Sequence, residues 1–250
     1  MPVSKAWPYP RWVAHRGGGV AAPENTLAGM RAAVSNGYRM AEFDAKLSRD
    51  GVAVLMHDAT LERTTNGQGP AGDLTFAELA RLDAGSWHSP AFTGEPVPTL
   101  EAVARYARAV GLACNVEIKP TPGLESVTGT QVALQCASLL EGCDVAPLLS
   151  SFSLEALEAA RAACPQLALG IITAKFEPGL VDALKRLDCV SVHLLHKELT
   201  RERVAGLRDA GFRVAAWTIN DPARALELID WGVDAVITDE IVRIDPRPRT

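Results

Sequence analysis

Along the chain, apolar runs of strand length alternate with segments whose apolar residues recur at helical spacing. The runs are WVAH, MAEFD, VAVLMH, CNVEIK, PLLSSF, LALGII, CVSVH, VAAWT and AVITD, nine in all. Several helical segments end on a glycine that leads into a strand: SNG before YRMAEFD, AVG before LACNVEIK, DAG before FRVAAWT and DWG before VDAVITD. Gly37, Gly111, Gly211 and Gly232 are therefore expected in left-handed backbone at helix C-termini, where a Cβ would be penalised. Helix starts are marked as well. Thr75 and Glu78 fit a capping box, Asp221 followed by Pro222 fits a cap with proline in the first turn, and Ser153 and Thr200 are further cap candidates. Strands alternating with helices imply parallel pairing and an α/β architecture.

Nine strands are one too many for an eight-stranded barrel, and local spacing resolves the surplus. Parallel neighbours need a crossover of about a dozen residues. Only a few residues part MAEFDAKL from VAVLMH, and they include Asp50-Gly51, a hairpin signal. These two strands are expected to form an antiparallel hairpin, and the other eight to close a (β/α)8 TIM barrel. Residues 59–98 break the rhythm with TNGQGPAGD, one short helix around TFAELARL, and SWHSPAFTGEPVP. They are expected as a small insertion over the barrel mouth, within a single domain spanning residues 1–250. Long excursions of this kind often serve binding.

Composition and charge then exclude several classes. With 250 residues, 48% of them hydrophobic, the chain can bury a substantial core. The net charge is −5 and no basic block occurs, so neither a nucleic-acid partner nor membrane insertion is expected. An anionic ligand would need a local cationic site. No apolar segment approaches the roughly 18 residues of a membrane helix, and MPVSKAWPYPRW lacks the apolar stretch of a leader. Five irregularly spaced cysteines suit buried thiols in a reducing compartment, so a cytoplasmic location is expected. The sequence carries no signal of oligomeric state.

Chemistry enters where polar residues interrupt the strands. Glu42 and Asp44 share one face of a strand, because side chains alternate. If Asp50-Gly51 is a two-residue turn, Asp44 lies opposite His57; a slightly longer turn places Glu42 there instead. Either alignment gathers two carboxylates and an imidazole. The same alternation puts Glu117 and Lys119 together in NVEIK. Two buried acids repel, and one would be forced neutral unless a cation joins them. Oxygen ligands from Glu42, Asp44 and Glu117 suit a hard divalent cation such as Mg²⁺ or Ca²⁺. A solvated strand edge is the bland reading of such a pair, but the apolar flanks and the recurring third acid favour the metal. In WVAHRGGGVAAPENT, a strand ends at His15 and is followed by Arg16, three glycines and a helix start. Such a loop suits an anion, and in barrels the active site lies at this strand end. Three carboxylates with a dication leave about −1 and a phosphodiester adds −1, which Arg16 and Lys119 balance.

Taken together, HRG with PENT, EFD with DG and HD, PTLEAV, NVEIK, WTIND and GVDAVITD resemble the glycerophosphodiester phosphodiesterases, from about His15 to Glu240. The likeness is to the short cytoplasmic bacterial type. The third glycine of HRGGG departs from a pattern that often has alanine. The resemblance implies a (β/α)8 barrel with a small insertion. It implies that His15 and His57 are the catalytic acid–base pair, and that Glu42, Asp44 and Glu117 are the metal ligands. It implies phosphate contacts from Arg16 and Lys119, and Phe152 and Trp217 near the glycerol group. The expected reaction converts a small-molecule glycerophosphodiester, such as glycerophosphocholine or glycerophosphoethanolamine, to sn-glycerol 3-phosphate and an alcohol. Water or the adjacent glycerol hydroxyl is the nucleophile. A lysophospholipid-cleaving relative would be expected to show an apolar or basic lip, absent from residues 59–98. A non-catalytic binder on the same barrel would be expected to have lost some of these residues. Asp58 and Asp239 are read as orienting their neighbours, and Asn25 as a helix cap that lies close enough to the loop to touch ligand. His88, His193 and His196 are read as structural or peripheral, and Asn220 has no assigned role.

Overall fold

The computed structural model describes residues 7–247. The expectation of no leader rests partly on residues 1–6, which lie outside the described residues. All nine expected strands form: β1 Trp12–Ala14, β2 Met40–Leu47, β3 Ala53–Leu55, β4 Ala113–Ile118, β5 Leu148–Ser151, β6 Ala168–Thr173, β7 Ser191–Leu195, β8 Arg213–Trp217 and β9 Ala235–Thr238. β1 pairs in parallel with both β9 and β2, and the ladder runs on through β4, β5, β6, β7 and β8. Eight parallel strands therefore close a TIM barrel, and β3 lies outside it, antiparallel to β2.

The helices begin and end where their local chemistry directs. They are α1 Leu27–Ser35, α2 Phe76–Leu79, α3 Leu100–Val110, α4 Glu125–Leu139, α5 Leu154–Ala163, α6 Leu180–Arg186, α7 Arg201–Asp209 and α8 Pro222–Asp230. Thr75 and Glu78 form the expected capping box, and the side chains of Ser153, Thr200 and Asp221 each accept a backbone N–H of the following turn. Gly37, Gly111, Gly211 and Gly232 all have positive φ. α4 and α5 pack closely because Gly129 has no side chain; a Cβ there would meet the Ala156 carbonyl oxygen at 2.1 Å. Among the described residues no helix follows β9, and turns carrying the buried Ile241 and Ile244 complete that side.

Strand alternation builds two cores. Ala41, Phe43, Ala45 and Leu47 of β2 and Cys114, Val116 and Ile118 of β4 face the helices. Inside the barrel, Val13, Met40, Ala113, Leu148, Ala168, Ala215 and Ala235 form an apolar plug. Toward the C-terminal strand ends the inward positions turn polar, with Glu42 paired to Asn115, Asp44 to Glu117 and Glu117 to Ser150, and these residues, like Ser191 and His193, are buried. Burial of this acidic layer is costly unless it is paired, so the polar residues that interrupt the strands are not a stability device.

The hairpin register corrects one expectation. Lys46 pairs with Val54 and Leu47 with Ala53, which leaves a three-residue loop, Arg49-Asp50-Gly51, between Ser48 and Val52. Gly51 takes φ +78° and its N–H donates to the Ser48 carbonyl at 2.9 Å. The glycine-ended loop thus sets neither expected alignment: Met56, not His57, lies across from Asp44 and donates its N–H to the Asp44 carbonyl at 3.1 Å. His57 instead occupies a bend beyond the strand. From there the chain runs through residues 59–98, whose Leu61, Ala71, Leu79, Ala84 and Val97 make a small core with Val54 and Met56.

Candidate active site

The C-terminal rim of the barrel gathers the residues that the sequence singles out. Asp44 and Glu117 are register partners on adjacent parallel strands. Glu42 stands two positions before Asp44 on the same face, and one carboxylate oxygen from each of the three lies within 4.8 Å of the others. Asp44 is held on both sides by Asn25, which donates from Nδ2 to Oδ2 at 2.8 Å and accepts the Asp44 N–H at 3.0 Å. The other Asp44 oxygen, Oδ1, is buried with no hydrogen-bond donor; the nearest cation, Lys119 Nζ, stands 3.5 Å away. Glu42 accepts the Arg16 N–H at 3.0 Å, and Glu117 accepts Lys119 Nζ at 2.6 Å.

These acids cannot all be charged at neutral pH without help. Burial, reinforced by the charge of Asp44, pushes Glu42 up to about 7 and Glu117 up to about 8. Burial pushes Asp44 upward too, but Lys119 and Arg16 outweigh it and hold this carboxyl below its usual range. Three close carboxylates with an orphaned oxygen are a donor set fitted to a hard divalent cation. A stability consequence follows. A carboxyl whose folded pKa lies above its unfolded value of about 4.3 contributes stability below that value and loses it as pH rises through the folded pKa. Thermal melts of the metal-free protein should therefore show stability falling between about pH 5 and 8. Glu117→Gln should flatten that fall; an unchanged slope would remove Glu117 as its source.

Two imidazole–carboxylate pairs flank the acids. His15 follows β1, and its Nδ1 donates to Asp239 Oδ1 at 2.6 Å while Nε2 lies 3.9 Å from Glu42. Burial lowers its pKa, yet Asp239 and Glu42 more than reverse this, so the net direction is upward. His57 Nδ1 donates to Asp58 Oδ1 at 2.6 Å. Here burial prevails over Asp44 and Asp58, and the net direction is downward. Asp58 and Asp239 thus orient the imidazoles, as the sequence suggests. Gly19, at φ +52°, lets the loop after His15 lie against the end of β9; a Cβ there would sit 2.0 Å from the Asp239 carbonyl oxygen.

A cavity of about 240 Å³ joins these groups, lined by His15, Arg16, Glu42, His57, Glu117 and Lys119 on one side and by Phe152 and Trp217 on the other. Phe152 is half exposed and meets Trp217 edge to face, with centroids 5.7 Å apart. Every residue proposed from sequence for catalysis, metal, phosphate or glycerol therefore lies at one rim. Asp44 sits just beneath the lining. His193 also faces this cavity, but burial lowers its pKa to about 4 and its Nε2 bonds Ser191 Oγ at 3.0 Å. A larger concavity of about 780 Å³ includes Arg11, Arg39 and Arg247 in its lining but no imidazole or carboxylate. Its size exceeds that of the rim cavity, but the chemistry lies at the rim.

Sequence reasoning missed four contributors. Asn25 does not cap α1; Thr26 does, accepting the Gly29 N–H at 3.0 Å, and Asn25 positions Asp44 instead. Asn220 donates to Asp239 Oδ2 at 2.9 Å and so steadies the His15 partner. Lys46 points inward with Glu42 and Asp44 by alternation, and its Nζ donates to the Lys119 carbonyl at 3.3 Å. Arg63 spans Asp58 and Glu24. Only Lys46 was legible in principle, from its place two residues after Asp44.

An acidic cluster between two carboxylate-oriented imidazoles, with two cations at the same barrel rim, is an arrangement suited to phosphodiester chemistry on a (β/α)8 barrel. The model of the glycerophosphoryl diester phosphodiesterase family matches residues 15–243. The chain is 32% identical to a glycerophosphodiester phosphodiesterase of Caldanaerobacter subterraneus over 231 residues, covering 91% of this chain and 93% of that protein. It is 33% identical to another from Bacillus subtilis over 244 residues, covering 91% and 82%. Its fold is similar to that of an Oleispira antarctica phosphodiesterase solved with the product sn-glycerol-3-phosphate, at a TM-score of 0.86 and 36% identity over 92% of this chain and 93% of that one. The chain belongs to the glycerophosphoryl diester phosphodiesterase family.

Proposed function

We propose that this protein hydrolyses glycerophosphodiesters, glycerophosphocholine and glycerophosphoethanolamine among them, to sn-glycerol 3-phosphate and a free alcohol. The observation that carries the reading is the convergence of Glu42, Asp44, Glu117, His15 and His57 on one cavity. The product held by the Oleispira neighbour supports the same chemistry. Glu42, Asp44 and Glu117 would hold Mg²⁺ or Ca²⁺, which when bound supplies Lewis acidity toward the phosphoryl oxygens. Arg16 and Lys119 add fixed positive charge where the phosphate charge develops. Phe152 and Trp217 offer apolar faces to the glycerol carbons. Each histidine has Nδ1 engaged by an aspartate, which leaves Nε2 to exchange a proton. One imidazole takes the proton of the nucleophile, and the other gives a proton to the departing alkoxide. The leaving oxygen then departs as an alcohol and no free alkoxide has to form.

We read residues 1–250 as one domain with residues 59–98 at its mouth. The described chain holds five free cysteines, four of them buried, which supports a reducing and hence cytoplasmic setting. Among the described residues no helix is long and apolar enough to cross a membrane. The test is a panel of glycerophosphocholine, glycerophosphoethanolamine and lysophosphatidylcholine, each with Mg²⁺, Ca²⁺ or Mn²⁺, followed by an enzymatic assay for sn-glycerol 3-phosphate. Release from the two water-soluble diesters is expected. Turnover of the lysophospholipid alone would overturn the assignment.

A further inference from the structure

Residues 59–98 do more at the rim than line it. Arg63 lies in a turn anchored by three buried neighbours, Leu61, Thr64 and Thr65. Its guanidinium makes two forks. Toward Asp58 it donates from Nε at 2.6 Å and from Nη2 at 3.0 Å. Toward Glu24 it donates from Nη1 at 2.7 Å and from Nη2 at 2.8 Å. Each carboxylate serves another residue of the site. Asp58 accepts His57 Nδ1 at 2.6 Å. Glu24 accepts Arg16 Nη1 at 2.8 Å, and Arg16 Nε stands 3.7 Å from Asp44. One side chain thus ties an imidazole to the cation placed for phosphate.

We propose that Arg63 is a positioning residue for the reaction, a clamp from the inserted segment that fixes the His57–Asp58 pair relative to Arg16. The inference rests on the proposed function. Only a guanidinium fits, because five donors in a fixed plane can serve two carboxylates at once, whereas an ammonium is a single point of charge. Stability does not account for the arrangement. The Arg63 side chain is 44% exposed, and exposed ion pairs contribute little to folding. Orientation is a stronger account, since misplacing a catalytic group by about 1 Å can cost on the order of a hundredfold in rate. The guanidinium also keeps Asp58 ionised well below the usual carboxylate range, its hydrogen bond being the largest cause. Asp58 then remains an acceptor that holds His57 Nδ1–H.

The experiment compares wild type, Arg63→Ala and Arg63→Lys on glycerophosphocholine with saturating Mg²⁺, each also in a His57→Ala background. Arg63→Ala should lower kcat roughly 10- to 100-fold with an unchanged melting temperature. Millimolar guanidinium should restore part of the loss, and Arg63→Lys should recover less than the wild-type rate. In the His57→Ala background the Arg63 substitution should cost less than it does alone, because one of the two groups it positions is gone and only its hold on Arg16 through Glu24 remains. An unchanged kcat in Arg63→Ala, or a full additional loss in the His57→Ala background, overturns the proposal. Wild-type turnover in the same assay separates the two readings. Its absence removes the proposed function, whereas its presence beside an unaffected Arg63→Ala removes only the clamp.

Discussion

His57→Ala should lower kcat for glycerophosphocholine by about 10² to 10⁴-fold, the range that a well-placed proton-transfer group contributes. The fold should survive. The His57 side chain is 30% exposed and sits in a bend beyond β3, and among the described residues its side chain hydrogen-bonds Asp58 alone. Its removal leaves no sealed void in either barrel core. His15→Ala should act on the rate to a similar degree. That residue is more enclosed, with its side chain 18% exposed, so its melting temperature must be checked alongside. The two losses should not multiply in the double variant, since one proton relay uses both groups. Steady-state kinetics with circular dichroism melts measure both quantities. Turnover near wild type in either single variant would remove that histidine from the reaction.

The second large effect concerns the acidic cluster. Exhaustive chelation should abolish turnover, and Mg²⁺, Ca²⁺ or Mn²⁺ should restore it to different extents. Asp44→Asn should leave activity beyond rescue by any of these ions. Asp44 is the central ligand candidate, being a register partner of Glu117 and two positions from Glu42, with a buried oxygen that has no donor. A thermodynamic readout stands apart from catalysis. A ligand at a hundred times its dissociation constant stabilises the native state by about 2.7 kcal/mol. For a chain of this size that raises the melting temperature by roughly 5–10 °C. Wild type should show the shift on adding the cation and Asp44→Asn should lose it. Asparagine keeps the shape and both partners of the Asn25 contact can rearrange, so the variant should fold. A fully active chelated enzyme would sink the metal's role outright.

Much of this site is legible in the sequence because its signals are local. Alternation along a strand places Glu42 with Asp44 and Glu117 with Lys119 whatever the rest of the chain does. A short spacing with Asp50-Gly51 forces an antiparallel pair, and that one decision turns nine strands into a closed barrel of eight with an outlier. Helix caps at Thr75, Ser153, Thr200 and Asp221 read correctly because each is satisfied within its own first turn. Asn25 misled for the opposite reason. Its side chain could have capped α1 locally, but a buried carboxylate from a neighbouring strand gained more from it.

By itself, then, the order of residues determined which side chains share a strand face, how many strands close and that Glu42 lies beside Asp44, since backbone stereochemistry and short loops dictate these; the pairing of β2 with β4 brought Glu117 to them. Tertiary structure alone decided the rest. A three-residue loop moved His57 past the strand end, against the expected cross-strand partner. Contacts across gaps of 224, 39 and 19 residues gave His15 its aspartate, Glu24 its arginine and Asp44 its amide. Those pairings depend on where closure of the barrel carries each loop, and no pattern confined to one stretch of chain encodes that position.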